Sequence, residues 1–167
     1  MDDGVPSTPV SAGAVAAGAD PRTPGQRRIS RRGARVIAVI AAGGVIGSSA
    51  RYGVTTALPT PRGDLPVATL LVNTSGSLLI GVLMVLIAET WSAPPLVRPF
   101  LGVGVLGGYT TFSATTVEVQ GLVAAGRPGL ALGYLAGTAV AALVAVQLGV
   151  TLTRAVALPR SPRDGGT

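Results

Sequence analysis

The sequence predicts an all-α integral membrane protein with four transmembrane helices. Of its 167 residues, 48% are hydrophobic and only 12% are charged, and the mean hydropathy is +0.57. A water-soluble domain of this size rarely has such a balance. The chain also contains four apolar stretches of about 20 residues or more, the length that a bilayer-spanning helix needs. We therefore expect a bundle of helical hairpins in lipid.

The four apolar stretches follow one another with short connections between them. The expected spans cover residues 36–58, 66–88, 96–125 and 130–153. Two prolines follow the first stretch, two more precede the third, and a segment rich in glycine and proline separates the last two. The transmembrane domain is therefore expected to occupy residues 34–157.

The two ends of the chain differ in composition from its apolar middle. Residues 1–33 mix Pro, Gly, Ser, Ala and Arg without apolar periodicity, so they bury too little surface to fold. We expect them to form a disordered basic arm, and residues 158–167 to form a flexible tail. The stretch 10–19 is too weakly apolar to be the core of a cleaved signal peptide.

The arginine distribution predicts the orientation in the membrane. All 13 basic residues are arginines. With four spans, ten of them lie on the side that holds both tails and the central loop, two lie on the other side, and Arg51 lies inside or at the end of the first span. The positive-inside rule then places both termini in the cytoplasm of a multi-pass protein of the cell inner (plasma) membrane. Because nucleic-acid recognition would require a folded basic face, we attribute the basic arm to topology and lipid attraction, with no nucleic-acid partner.

The side-chain inventory argues against an enzyme. The chain has no Cys and no His, which excludes disulfides, zinc–thiolate or zinc–imidazole sites and imidazole acid–base catalysis. No intramembrane His or Lys is present to activate a serine, and Glu118 is the only strong acid candidate within a span.

Glycines within the spans predict close helix packing and one break. Two pairs have the spacing of small residues that let helix backbones approach in lipid: Gly43 with Gly47, and Gly133 with Gly137. The third span instead has Gly107-Gly108 before Tyr109-Thr110-Thr111, where low helix propensity and hydroxyl side chains favour a break at mid-membrane. Carbonyls freed by such a break could coordinate a cation, and a half-helix end could face an anion.

Polar side chains at membrane depth are costly, so they are candidates for function. They are Arg51, Asn73, Thr110, Thr111, Ser113, Thr115, Thr116, Glu118, Tyr134, Thr138 and Gln147. A Ser or Thr can bond to its own helix, whereas the amide of Asn73 needs a partner or a permeant ion. For Glu118 and Arg51 a salt bridge, a solvated helix end and a direct role all stay open. Hydroxyls, an amide and the electropositive ring edge of Phe112 suit a small anion more than a cation.

The string from Gly107 to Ser113, GGYTTFS, resembles the third-helix motif of the Fluc/CrcB family of fluoride channels. Supporting similarities are GGVIG followed by Arg51-Tyr52 in the first span and TLLVN, residues 69–73, in the second, so that the resemblance covers most of residues 36–153. It implies a passive fluoride-selective channel that exports cytoplasmic fluoride and is built as an antiparallel, dual-topology dimer.

The resemblance also implies a role for each site residue. Phe112 would belong to the family's phenylalanine box, and the fluoride path would be lined by Asn73, Thr111, Ser113, Thr116, Tyr134 and Thr138. Thr69 and Glu118 would form a polar pair near a vestibule, and Arg51 would attract anions or secure the fold. Backbone carbonyls of Gly107 and Thr110 would help to hold a structural Na⁺ at the dimer two-fold axis.

Two residues and the arginine distribution depart from the family pattern. Thr115 stands where the family has a second box phenylalanine, and Ala142 stands where a hydroxyl is expected. A chain that inserts in both directions should have nearly balanced loops. We therefore expect a dimer with an oppositely oriented paralogue rather than a homodimer, with fluoride and membrane lipid as the other partners. The alternatives are a proton-coupled small-ion transporter, in which Glu118 titrates, and a non-conducting scaffold subunit of a heterodimer.

Overall fold

The computed structural model describes residues 31–90 and 93–157, and within these residues it is helical without any β-strand. The elements are α1 (Arg31–Ala57), α2 (Val67–Val85) with a π-helical extension (Leu86–Thr90), α3 (π-helical Arg98–Leu106 followed by the α-helical turn Gly107–Tyr109), α4 (Ser113–Ala124) and α5 (Pro128–Ala157). Most of the predicted basic arm and the tail at 158–167 lie outside the described residues. Residues 31–33, which we assigned to that arm, are already helical, because the first span continues toward the N-terminus by more than a turn.

Within residues 31–90 and 93–157, three helices are long and apolar enough to cross a membrane: Arg31–Ala57, Val67–Glu89 and Pro128–Ala157. They correspond to the first, second and fourth predicted spans. The third apolar stretch forms α3 and α4, with a break between them at residues 110–112, so neither piece reaches span length alone.

Helices α1 and α3 run in the same direction and approach through small residues. Gly43 faces Phe100 and Gly104, while Gly47 faces Val105 and Tyr109. The residue numbers of the two helices therefore increase in the same direction. Gly43 and Gly47 are both buried. The predicted packing role of this glycine pair is therefore confirmed within the chain.

Helices α2 and α5 form a second parallel pair. The glycines predicted for close packing on α5, Gly133 and Gly137, are not the ones that contact α2. The two backbones approach at Gly81 and Gly149, where a Cβ on either glycine would collide with a carbonyl oxygen of the other helix. Gly133 and Gly137 are exposed, and no atom of another element lies within 4 Å of a Cβ built on either one. Spacing alone could not tell which face of α5 turns toward α2.

Two ionic contacts connect the helix ends. At one end Nε of Arg154 donates to both carboxylate oxygens of Glu89 at 3.0 Å. At the other end Nη1 of Arg127 donates to the carbonyl oxygen of Gly63 at 2.7 Å and lies 3.5 Å from the carboxylate of Asp64. The second contact joins the α1–α2 connection to the α4–α5 connection, and a small apolar cluster of Leu122, Ala131 and Tyr134 packs on the α4 side of the bundle.

Candidate ion pathway

The break between α3 and α4 is held by a side chain from α2. At Thr110 the backbone becomes extended, with φ −76° and ψ 156°. The backbone N–H of Thr111 donates to Oδ1 of Asn73 at 2.9 Å, and Nδ2 of Asn73 donates to the carbonyl oxygen of Thr111 at 2.9 Å. Buried backbone groups without a partner are costly, so the amide of Asn73 satisfies both groups that the break exposes. The predicted break is present, a few residues after the glycine pair, and Gly107 and Gly108 are themselves helical.

A groove of about 310 Å³ lies beside the break. Its polar and aromatic lining comes from Asn73, Ser77, Thr110, Thr111, Phe112, Thr115 and Thr138. Ala142 also contacts the groove, so the missing hydroxyl of α5 leaves an apolar wall at that point. Phe112 is 76% exposed, which leaves its ring free to meet another chain or lipid at the mouth of the groove.

Thr138 presents an unsatisfied donor to this groove. The residue is 7% exposed, and its Oγ1 is a buried side-chain atom without a hydrogen-bond partner within the described part of the chain. An unpaired buried hydroxyl costs on the order of 1–3 kcal/mol. The position therefore favours a small species that accepts a hydrogen bond.

Glu118 is the centre of a second polar cluster, close to the first. Oγ1 of Thr69 donates to one of its carboxylate oxygens at 2.5 Å, and the hydroxyl of Tyr134 donates to the other at 2.6 Å. Thr69 and Tyr134 are 2% and 3% exposed. These are short hydrogen bonds to a charged acceptor, which are about twice as strong as neutral ones. The predicted pairing of Thr69 with Glu118 is present in the structure.

Glu118 also lines two open cavities. A cavity of about 390 Å³ contains Arg51, Tyr52, Thr69, Thr111 and Glu118, and one of about 640 Å³ extends from Thr69 and Glu118 to the Arg62–Asp64 connection. Arg51 is half-buried in the first cavity, and within residues 31–90 and 93–157 no salt bridge joins it to Glu118. Of the readings left open by the sequence, a direct ion pair between Arg51 and Glu118 is not formed.

Three predicted path residues do not line the groove. Tyr134 donates to Glu118 instead, and Ser113 and Thr116 are exposed on α4. The hydroxyl of Ser113 lies 3.2 Å from that of Thr111, and the hydroxyl of Thr116 donates to the carbonyl oxygen of Phe112 at 3.1 Å. Within this chain they bond to their own segment rather than lining the same groove as Asn73 and Thr138.

One polar groove residue escaped the sequence analysis. Ser77 lies four residues after Asn73 on α2, a spacing that places both side chains on the same helix face and could have indicated it. Thr115 was a candidate polar residue and a departure from the family pattern, but the sequence did not indicate that its hydroxyl accepts a hydrogen bond from Asn73 at 3.1 Å. That contact joins two helices, so spacing within one segment carries no signal for it.

The geometry at the break fits a cation held by carbonyl oxygens. In a continuous α-helix the N–H of Thr111 would donate to the carbonyl oxygen of Gly107, but here it donates to Asn73. The carbonyl of Gly107 thereby loses its regular helical partner. The extended backbone at Thr110 turns the carbonyl of Thr110 itself out of the helical pattern.

Comparison with known proteins identifies the family of this chain. The family profile described as "CrcB-like protein, Camphor Resistance (CrcB)" matches residues 38–150. The chain is 52% identical over 118 residues to "Fluoride-specific ion channel FluC 2" of Streptomyces avermitilis, covering 70% of this chain and 75% of that protein. It is 49% identical over 119 residues to the "Fluoride-specific ion channel FluC 2" of Nocardia farcinica, covering 71% and 85%.

A third relative is a second protein of the first organism. "Fluoride-specific ion channel FluC 3" of Streptomyces avermitilis is 43% identical over 128 residues, covering 77% of this chain and 62% of that protein. The family match extends over all the helices that line the groove. This multi-pass membrane protein therefore belongs to the CrcB family, whose members are ion channels and not enzymes.

Proposed function

We propose that the chain is a subunit of a passive fluoride-selective channel that exports cytoplasmic fluoride. The observation that carries the proposal is the groove beside the helix break, where the buried hydroxyl of Thr138 has no acceptor in the described part of the chain. Fluoride is a small anion that accepts hydrogen bonds strongly, and the exposed ring of Phe112 can present its electropositive edge to it. The relatives named as fluoride-specific channels support the choice of ion.

Each site residue has a role in this proposal. The pathway is lined by polar groups of Asn73, Thr111 and Thr138, while Tyr134 bonds to Glu118, which forms a polar pair with Thr69 at the inner end of the 640 Å³ vestibule. Arg51 attracts anions from the cavity that it shares with Glu118. Ser113 and Thr116 face outward and contribute only to a path completed by a second chain. Affinity must stay modest, because an ion that binds too tightly leaves slowly.

The same proposal includes four spans, with α3 and α4 together forming the third. Arg31, Arg32, Arg35, Arg98 and Arg154 all lie at one end of the bundle, since α1 and α3 begin where α2 and α5 end. The positive-inside rule then puts both termini in the cytoplasm and the protein in the cell inner membrane.

A chain with one orientation needs an oppositely oriented partner to build an antiparallel dimer. We propose a paralogue in preference to a second copy of this chain. The exposed Phe112 and the outward-facing Ser113 and Thr116 are consistent with a path that another chain completes. Numbered relatives such as FluC 2 and FluC 3 of Streptomyces avermitilis show that one organism can have two such proteins.

A structural Na⁺ is proposed at the break. The carbonyl oxygens of Gly107 and Thr110 are the groups that would hold it, since the break removes both from the regular helical pattern. When bound, Na⁺ would supply positive charge beside the groove. The side-chain amide of Asn73 bonds to the backbone N–H and carbonyl of Thr111 and so maintains the break.

Glu118 has a structural role that proton-coupled transport does not require. Its two carboxylate oxygens accept hydrogen bonds from Thr69 on α2 and Tyr134 on α5, and so join α4 to both helices. The non-conducting subunit is the alternative with a specific observation in its favour, because Thr115 occupies a donor of Asn73.

The decisive experiment is fluoride efflux from liposomes, followed with a fluoride electrode. The protein is reconstituted alone and then with a co-expressed paralogue, each time with the Phe112→Ile and Asn73→Ser variants and with chloride efflux as a selectivity control. We expect fluoride but not chloride efflux in at least the mixed dimer, and its loss in the variants. Fluoride retention in every preparation would refute the channel, and pH-dependent flux that becomes pH-independent in Glu118→Gln would establish the transporter instead.

A further inference from the structure

All the hydrogen-bonding groups of the Asn73 amide are occupied within the chain. Its oxygen accepts from the Thr111 N–H, and one amide hydrogen goes to the Thr111 carbonyl. Nδ2 also lies 3.1 Å from Oγ1 of Thr115, which takes the second hydrogen. A primary amide has two N–H donors, so none is left for a ligand.

Thr115 is built into this arrangement rather than placed at its edge. It is 2% exposed, and its own hydroxyl donates to the Thr111 carbonyl oxygen at 3.3 Å while its lone pair accepts from Asn73. Both residues line the groove that contains the unpartnered hydroxyl of Thr138. The groove thus contains one donor that lacks an acceptor within the described residues and another that Thr115 has taken.

We propose that Thr115 determines how strongly this pathway binds its anion, by competing with the anion for the second N–H of Asn73. This inference rests on the proposed function. An anion in the groove lies beside Thr138, but must displace the Thr115 oxygen to reach the N–H of Asn73. Removal of that oxygen leaves the N–H without this acceptor.

Alanine tests the competition because it removes the hydroxyl oxygen and leaves room for the anion beside the N–H of Asn73, whereas a valine methyl would fill the place of the oxygen. One neutral hydrogen bond contributes about 1 kcal/mol and each 1.4 kcal/mol is tenfold in affinity, so Thr115→Ala should tighten fluoride binding about fivefold. Thr115→Ser keeps the acceptor oxygen and is the matched control, with binding close to that of the original chain.

The experiment uses the full chain, with its paralogue if efflux requires one. Fluoride affinity is measured as the fluoride concentration that gives half of the maximal rise in thermal midpoint, and efflux is measured from liposomes at low fluoride concentration. We expect Thr115→Ala to lower the first about fivefold and to raise the second, with Thr115→Ser unchanged. Chloride in place of fluoride should shift neither the midpoint nor its dependence on residue 115.

The outcomes separate this inference from the channel itself. If the original chain conducts fluoride and Thr115→Ala binds it equally or more weakly, the competition is refuted while the channel stands. If no preparation binds or conducts fluoride, both fail. Thr115→Val lacks the hydroxyl but fills its place with a methyl group, so it should not tighten binding, and tightening equal to that of Thr115→Ala would also refute the competition. If Thr115→Ala and Thr115→Val both lose their monodisperse elution, the hydroxyl is needed for folding and the proposal is overturned.

Discussion

Replacement of Gly47 by alanine should separate α1 from α3. A Cβ at this position would overlap the carbonyl oxygen of Val105 and would lie 2.8 Å from the backbone nitrogen of Tyr109. Ordinary contacts of a Cβ begin near 3.4 Å. The obstructing atoms are backbone, so no side chain can rotate away, and the helices must move apart by roughly 1 Å along a closely packed pair.

The expected cost follows from two opposing effects. Overpacking of this kind costs about 1–3 kcal/mol and more where only backbone can move, while alanine gains about 1 kcal/mol over glycine in helix propensity. We expect Gly47→Ala to lower the free energy of unfolding by about 2 kcal/mol. Gly44, on the same helix, is the matched control, because a Cβ at this glycine would meet no atom of a neighbouring helix within 4 Å, and Gly44→Ala should be neutral or slightly stabilising.

The assay is reversible unfolding of the purified variants in mixed micelles, with size-exclusion elution after heating as a second measure. Gly47→Ala should unfold at lower denaturant concentration than Gly44→Ala, by a difference of about 3 kcal/mol between the two. Equal stabilities would show that α1 and α3 are not in backbone contact, and the packing described above would be wrong.

Three further predictions concern polar groups. Tyr134→Phe removes the donor to one carboxylate oxygen of Glu118 and should cost about 1.5–3 kcal/mol of unfolding free energy in the same assay. Tyr109→Phe is the control, because the Tyr109 hydroxyl contacts the neutral Ser75, and an equal loss in this variant would contradict the charge-assisted bond. Thr138→Val removes a buried hydroxyl that has no partner among the described residues. It should raise the free energy of unfolding by about 1 kcal/mol or more without fluoride and yet slow fluoride efflux. Thr151→Val, at an exposed site on the same helix, should change neither stability nor efflux. Glu89→Gln breaks the contact with Arg154 at an exposed helix end and should lower the thermal midpoint slightly in low salt. Salt screens exposed charges, so a loss of the same size in about 1 M salt would mean that the contact is not chiefly ionic.

The sequence was sufficient for the helices and for most of the polar residues, because hydropathy and breakers act locally. The spans, the break after Gly107-Gly108 and the pairing of Thr69 with Glu118 follow the expectations closely. The sequence could not indicate which residues of one helix contact which residues of another. Gly137 and Gly149 look alike along α5, yet only Gly149 meets α2, and this depends on how the helix is rotated.

The site shows the same limit. The amide of Asn73 was expected to need a partner or a permeant ion, and the structure supplies three contacts from Thr111 and Thr115, which are 38 and 42 residues away in the chain. Ser113 and Thr116 share the motif with Phe112, but their position on α4 turns them outward. Adjacency in a motif therefore did not imply a shared groove.

The break at residues 110–112 also marks a change of packing partner. Before it, α3 packs on α1, and after it α4 packs on α5, while α5 itself packs on α2. The bundle thus consists of two tightly packed units, and the third apolar stretch belongs to one before the break and to the other after it. Polar contacts of Asn73 and Ser75 with residues of the third stretch cross this seam. Any relative movement of the two units would be concentrated at the seam, and the three residues of the break would serve as its joint.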